Sequence, residues 1–230
     1  MRYTRYDIKR KKNGNKFYIV AVIIVLTCAI LIGTVISNLF LKNSDGTTQT
    51  SDSKAVFNQD NSNNVASFVF LQCGIFDKKE NAESLMNQLS KIGNPFEVED
   101  EGKVRAMFGI YGNENDYKAA TKLLSDNKID VHDVNYTLSK GDLCDSQIIS
   151  IINANLQVIN KTYDKDVKQV QTSALKEWTK KLDNVDGSYK NKKVLDELKE
   201  HVDKLPANFS KDNVNENRTF LYSELKKVSK

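Results

Sequence analysis

The sequence predicts an α+β protein with three parts: an N-terminal transmembrane helix, a βαββαβ unit and a C-terminal α-helical bundle. Three observations support this fold class. Residues 17–41 carry no charge, and apolar residues after Leu138 recur at helical spacing. Between these regions, the motif Cys73-Gly-Ile-Phe76 returns 35 residues later as Phe108-Gly-Ile-Tyr111, which indicates a duplicated supersecondary unit.

The N-terminal region is predicted to be a basic cytoplasmic tail followed by a membrane anchor. Residues 1–16 hold seven basic groups and one acidic group, and residues 17–41 form an uncharged run of 25 residues. A run of this length spans a bilayer, and the positive-inside rule places the tail in the cytoplasm. We therefore expect a single-pass protein of the cell membrane, with lipid around helix 17–41 and the remainder outside. A cleaved signal peptide is disfavoured, because the apolar run is too long and no small-residue cleavage site follows.

Residues 42–66 are expected to be a flexible linker. This stretch is rich in Asn, Ser, Thr, Asp and Gln and has too few apolar residues to form a core. A flexible coil of this length has a root-mean-square span of roughly 25–30 Å.

The middle unit, residues 67–138, is predicted from strand patterns and helix patterns that follow one another along the chain. Strands are expected at 68–73, 96–99, 104–108 and 129–138, where β-branched and aromatic residues concentrate. Helices are expected after Asp77, whose spacing to Glu80 suits a capping box, and after Asn113 as a cap. Gly74 is expected to end the first strand at a tight turn. The product is a four-stranded antiparallel sheet with both helices on one face.

Strand periodicity then predicts which residues lie on the face without helices. Val69, Leu71 and Cys73 share one side of the first strand, and we assign them to the helix-covered core. The opposite, open face would carry the five residues Phe68, Phe70, Gln72, Arg105 and Met107. Aromatic rings beside an amide and a guanidinium suit the stacking and hydrogen bonding of a sugar. Alternatively, Phe68 and Phe70 pack under another part of the chain.

Two stretches carry a resemblance to a known family. Leu71-Gln-Cys-Gly-Ile-Phe76, followed by Asn81, Leu85, Leu89 and Gly93, resembles the first half of a SPOR domain. Arg105-Ala-Met-Phe-Gly-Ile-Tyr111 is similar to its second half. The resemblance implies a ferredoxin-like fold that binds peptidoglycan glycan strands lacking stem peptides, in cell division or sporulation. It also implies that Gln72 and Arg105 contact the glycan.

Residues 139–230 are predicted to be helical. Three amphipathic segments run from about 148 to 182, from 194 to 205 and from 213 to 228, which favours a small antiparallel bundle. A self-associating coiled coil is the alternative. No motif assigns a role to this region, and a protein partner at 145–228 is the only function that we expect of it.

Other functions find little support in the sequence. The two histidines lack metal-ligand spacing, no phosphate loop or nucleophile motif is present, and so no enzyme activity, metal or cofactor is expected. The tail contributes +6 to a net charge of +4, which leaves −2 for the rest, so no nucleic-acid partner is expected. Two functions remain: a peptidoglycan-binding membrane protein, or a membrane scaffold that has lost glycan binding.

The cysteines outside the predicted span are expected to remain reduced. Cys73 lies near the end of the first strand, whereas Cys144 follows the last strand. Because these strands are expected to be antiparallel neighbours, the two thiols would lie at opposite ends of the sheet, beyond the reach of a disulfide.

Overall fold

A four-stranded antiparallel sheet lies between two sets of helices in the computed structural model, which describes residues 65–228. Within these residues, no helix combines the length and apolarity that crossing a bilayer requires. The predicted tail, the predicted span at 17–41 and nearly all of the predicted linker lie outside the described residues.

The first half of the described chain has the predicted βαββαβ order. Its sheet runs β2-β3-β1-β4, with every neighbouring pair antiparallel, and this arrangement fits the ferredoxin-like fold. The elements are β1 (Val65–Phe76), α1 (Lys79–Leu89), β2 (Phe96–Asp100), β3 (Lys103–Tyr111), α2 (Glu114–Asp126) and β4 (His132–Ser139).

The two predicted helix caps have different outcomes. Asn113 accepts a hydrogen bond from the backbone N–H of Asp116 at 2.9 Å and caps α2, as predicted. The capping box at Asp77 is wrong, because α1 starts one residue later, after Lys78, whose side chain makes no capping bond. Asp77 instead forms an ion pair with Lys103 at the start of β3.

The duplicated glycines make room for aromatic rings. A Cβ atom on Gly74 would lie 2.7 Å from the Phe76 ring, and one on Gly109 would lie 2.5 Å from the Tyr111 hydroxyl. Each ring therefore folds back over the glycine two residues before it. The prediction that Gly74 ends β1 is wrong, because the strand continues to Phe76. A bulge around Gln72 and Gly74 accommodates the extra length.

The second half of the described chain is largely helical, with one more helix than predicted. The first predicted segment divides between α3 and α4, because residues 162–172 are rich in charge and Asp166 has a left-handed φ of 67°. The helices are α3 (Leu143–Lys161), α4 (Ser173–Lys180), α5 (Lys192–Lys204) and α6 (Val214–Val228), with a short two-stranded ribbon of β5 (Val170–Gln171) and β6 (Asn208–Phe209).

These helices do not form a separate bundle. α3 packs against β4, α6 packs against β2 and β4, and α5 joins α3 to α6. Their buried side chains share one hydrophobic core with Phe68, Phe70 and Met107 of the sheet. A second core on the other face joins Val69 and Leu71 to α1 and α2, as the strand periodicity predicted. Both faces of the sheet are therefore covered, and the expectation of an open face is wrong.

Candidate functional site

The five residues predicted to bind a glycan share one face of the sheet, but four of them are buried. Phe68, Phe70 and Met107 are 1%, 0% and 0% exposed, and Gln72 is 6% exposed. Large apolar side chains gain roughly 1.5–3 kcal/mol each on full burial, which explains why helices cover this face. The alternative interpretation, that Phe68 and Phe70 pack beneath another part of the chain, describes the structure. Glycan binding by these residues remains a prediction, because it requires a face that helices cover here.

Gln72 and Arg105, the two polar residues of the set, are brought together at the edge of the buried area. Arg105 Nη1 donates a hydrogen bond to Gln72 Oε1 at 2.9 Å, and Arg105 Nε donates one to Asp100 Oδ2 at 3.0 Å. The side chain of Arg105 retains 19% exposure. The pair is therefore held in place by Asp100, at the end of β2, and still touches solvent.

Helix α6 completes this arrangement from the other side. The hydroxyl of Tyr222 donates to Asp100 Oδ2 at 3.0 Å, and Lys226 Nζ donates to Asp100 Oδ1 at 2.6 Å. We call these five residues (Gln72, Asp100, Arg105, Tyr222 and Lys226) the polar cluster. Asp100 is the centre of the cluster, since its carboxylate accepts hydrogen bonds from one strand residue and two helix residues.

The charge of Asp100 is stabilised by its neighbours. Burial alone would raise the pKa of Asp100, but the hydrogen bonds from Lys226 and Tyr222 and the positive charge of Arg105 outweigh it. The pKa therefore lies below its usual value. For Tyr222, burial and the contacts with Tyr136 and Asp100 raise the pKa. At neutral pH the cluster thus contains an ionised carboxylate, two cations and a neutral phenol.

Three aromatic rings meet beside the polar cluster. Phe70 lies edge to face with Tyr136 and with Tyr222, at centroid distances of 5.5 and 5.2 Å, and the two tyrosines are 6.0 Å apart. We call Phe70, Tyr136 and Tyr222 the aromatic triad. Tyr222 therefore covers the ring of Phe70, on the face where the sequence suggested that a sugar would stack.

Four residues of the polar cluster and the aromatic triad were not predicted from the sequence: Asp100, Tyr136, Tyr222 and Lys226. A signal for Tyr222 was present, because it lies on the same apolar stripe of its segment as Leu221 and Leu225. Asp100 and Lys226 carry no comparable signal, since charged residues at a strand end and in a last helical turn are ordinary surface features.

A cleft of about 410 Å³ lies between β2 and α6, next to the polar cluster. Its lining includes Val98, Glu99, Thr219, Ser223 and Lys226. On the sheet beyond the cluster, Ile75 pairs with Arg105 across the strands and is 49% exposed. The edge of the predicted face is thus partly accessible, whereas its centre is filled.

One group of possible metal ligands occurs among residues 65–228, and its chemistry does not suit a metal. Asp142, Cys144 and Asp145 bring their ligand atoms within 4.8 Å of one another at the start of α3. Asp142 already accepts the backbone N–H of Asp145, and Asp145 accepts from Asn191. Burial and the nearby carboxylates raise the pKa of the Cys144 thiol to about 11, so the thiolate that a metal requires is disfavoured.

The two cysteines of the described chain are free thiols, as predicted. Gln72, next to Cys73, pairs with His132 at the start of β4, whereas Cys144 follows Ser139 at its end. Burial also raises the pKa of the Cys73 thiol to about 11, which makes this thiol unreactive at neutral pH.

Two comparisons with known proteins found similarity, and both concern the first half of the described chain. No match was found among curated proteins. Among solved structures, the chain is similar to the peptidoglycan binding domain of the B. subtilis cell wall lytic enzyme CwlC. The identity is 17% and the TM-score 0.28, over 39% of this chain and 98% of that domain. The family model of the SPOR domain matches residues 66–131, which confirms the resemblance predicted from the sequence for that part of the chain.

Proposed function

We propose that this protein binds the glycan strands of peptidoglycan through its SPOR domain and is held at the cell membrane by residues 17–41. The observation that carries the proposal is the SPOR match over residues 66–131, within which Gln72 and Arg105 form a hydrogen-bonded pair on one face of the sheet. The match is to a binding domain, which is consistent with a protein that is not an enzyme.

The chemistry of this pair suits a polysaccharide. A glutamine amide both donates and accepts hydrogen bonds, and a guanidinium has five N–H donors in a fixed plane. Sugar hydroxyl and acetamide groups offer the complementary acceptors and donors. The aromatic residue Phe70 on the same face would add a ring for a sugar to stack on, but in this structure the ring is fully buried.

The cellular setting is also part of the proposal. The basic tail and the uncharged run favour a single-pass anchor with the SPOR domain outside the cytoplasm. A linker with a span of roughly 25–30 Å lets the domain reach wall close to the membrane. The SPOR resemblance favours a site of action at division or during sporulation.

Binding to purified cell wall tests the proposal. The fragment 44–230 is suitable, because all described residues fall within one compact unit bounded by Ser44 and Lys230. We expect this fragment to co-sediment with wall, and to do so more strongly after an amidase has removed the stem peptides. Equal sedimentation with treated wall and with an unrelated polysaccharide would contradict the proposal.

A matched pair of variants tests the assignment of the site. Arg105→Gln should weaken wall binding roughly 10- to 100-fold, because a hydrogen bond to a charged group contributes about 1.5–3 kcal/mol. Lys103→Gln makes the same change of charge two residues away, where the side chain is 49% exposed and pairs with Asp77, and should bind as the unsubstituted fragment does. An equal loss in both variants would indicate a nonspecific effect of charge.

A second function is favoured by a different observation. The buried centre of the sheet face suits a membrane scaffold in which glycan binding has been lost and the helical region, residues 145–228, binds a protein. The wall experiment separates the two functions, since a scaffold of this kind should not sediment with wall before or after amidase treatment.

A further inference from the structure

The geometry points to an intramolecular mask: helix α6 occupies the glycan-binding face of the SPOR domain and must leave it before a glycan strand can bind. This inference rests on the proposed function and concerns the regulation of the same site. It starts from the burial of Phe70 and Met107, which no ligand can reach while the helices are in place.

α6 contacts the groups that a glycan would use. The ring of Tyr222 lies 5.2 Å from that of Phe70, where a stacked sugar would lie. Tyr222 and Lys226 also donate hydrogen bonds to the carboxylate of Asp100, which accepts a further hydrogen bond from Arg105. The helix therefore competes with a glycan for the space above the aromatic ring and restrains the guanidinium at the edge of the site.

The contact of α6 with β2 and the residues before it has an anchored part and an exposed part. Arg218 at the start of α6 is 7% exposed and donates to the backbone oxygen of Asn94 at 2.6 Å. The last turns of α6 make a polar contact instead, where Lys226 bonds to Asp100 and Glu101. The Lys226 side chain is 26% exposed, and ion pairs that touch water contribute little to stability. The cleft of about 410 Å³ lies along the same contact, so packing here is incomplete.

The opposite side of α6 is apolar. Leu221 and Leu225 are fully buried in the core shared with α3 and α5. We therefore infer a movement in which α6 separates from β2, carries Tyr222 away from the sheet and exposes Phe70 and Tyr136, while the helical region remains folded. A ligand shifts such an equilibrium only as far as it prefers the open state, so the closed protein should bind glycan weakly.

The substitution Lys226→Glu tests the mask in the fragment 44–230. It replaces two ion pairs with repulsion from Asp100 and Glu101. We expect faster hydrogen exchange of the α6 amides and roughly tenfold tighter binding to amidase-treated wall, equivalent to about 1.4 kcal/mol. The added negative charge itself opposes adsorption to an anionic wall, so tighter binding cannot arise from net charge.

Lys193→Glu is the matched control. It makes the same change of charge on α5, where the side chain is 87% exposed and its nearest carboxylate oxygen lies 3.9 Å away. We expect neither faster exchange in α6 nor tighter wall binding. Adding Arg105→Gln to Lys226→Glu should abolish the gain, because the exposed face would then lack its guanidinium.

The outcomes separate this inference from the proposed function. If exchange in α6 rises but binding equals that of the unsubstituted fragment, the mask is wrong and glycan binding stands. If no fragment binds wall, opened or closed, the proposed function fails and the mask with it. Tyr222→Ala provides a second way to loosen the helix. If α6 stays protected in both variants, it is a permanent part of the fold and the mask is wrong.

Discussion

Phe70 is the residue at which the core shared with the C-terminal helices and the predicted site meet. Its ring is fully buried and makes edge-to-face contacts with Tyr136 and Tyr222, so it joins β1 to β4 and to α6. At this position, the requirement for a stable core and the requirement for an exposed sugar platform conflict. In this structure the ring is buried, so the requirement for a stable core is the one that is met.

Truncation of Phe70 should therefore destabilise the protein strongly. We expect Phe70→Ala to lower the free energy of unfolding by about 3–5 kcal/mol, because it removes a buried ring and leaves a cavity. Ile75→Ala is the control on the same strand: its side chain is 49% exposed, and the loss should stay below about 1.5 kcal/mol. Denaturant unfolding of the fragment 44–230 measures both. A loss of under 1 kcal/mol for Phe70→Ala would mean that the ring is exposed in solution.

At the scale of the elements, the helices and strands of the SPOR half follow from local patterns. Alternation predicts β1, and apolar spacing of three and four predicts α1 and α2, because each pattern depends on residues close in the chain. The covering of the second face depends instead on contacts such as Tyr222 with Asp100, which are 122 residues apart. No local pattern carries that information.

One local signal in the sequence did indicate that the second face of the sheet is covered. Phe68-Val-Phe-Leu71 is apolar on both sides of the strand, whereas a strand with one solvated face alternates between apolar and polar residues. The polar pair Gln72 and Arg105 suggested an open face because each is unfavourable to bury alone. The structure resolves this conflict at the rim, where Arg105 donates hydrogen bonds to both Gln72 and Asp100.

The packing of α5 against α6 should depend on pH through His201. Its ring stacks on Phe220 at 3.7 Å, and its Nε2 lies 2.8 Å from Asn217 Oδ1. Burial lowers the pKa of His201, although the Asn217 hydrogen bond and the charge of Glu216 act in the opposite direction. The unfolded chain, with a histidine pKa of about 6.5, then binds a proton more readily than the folded protein.

The sign of the effect follows from this difference. The stabilisation is complete above about pH 6.5 and is lost as the pH falls through the lower folded-state pKa. We expect the free energy of unfolding to decline between pH 7.5 and 5, and to decline less steeply in His201→Gln, which cannot titrate. Denaturant unfolding across this range measures both slopes. Since all other groups are shared, identical slopes would show that the ring is not buried as described.

At the scale of the whole molecule, the SPOR sheet and the C-terminal helices form one folded body, and we propose from the charge pattern of the sequence that this body lies outside the membrane. This topology rests on charge alone: seven basic groups precede the uncharged run, while only Lys42 follows it closely. Glycan binding and the mask both require it, since peptidoglycan lies outside the cytoplasm.

Labelling in intact cells tests this topology with the full chain. We expect a cysteine introduced by Ser51→Cys, just after the predicted span, to react with a membrane-impermeant maleimide before the cells are lysed. A cysteine introduced by Thr4→Cys, in the predicted cytoplasmic tail, should react only after lysis. The native thiols of Cys73 and Cys144 should contribute little, because burial raises the pKa of each to about 11. If Ser51→Cys labels only in lysed cells, residues 42–230 lie in the cytoplasm, and the peptidoglycan-binding function proposed here is excluded by location.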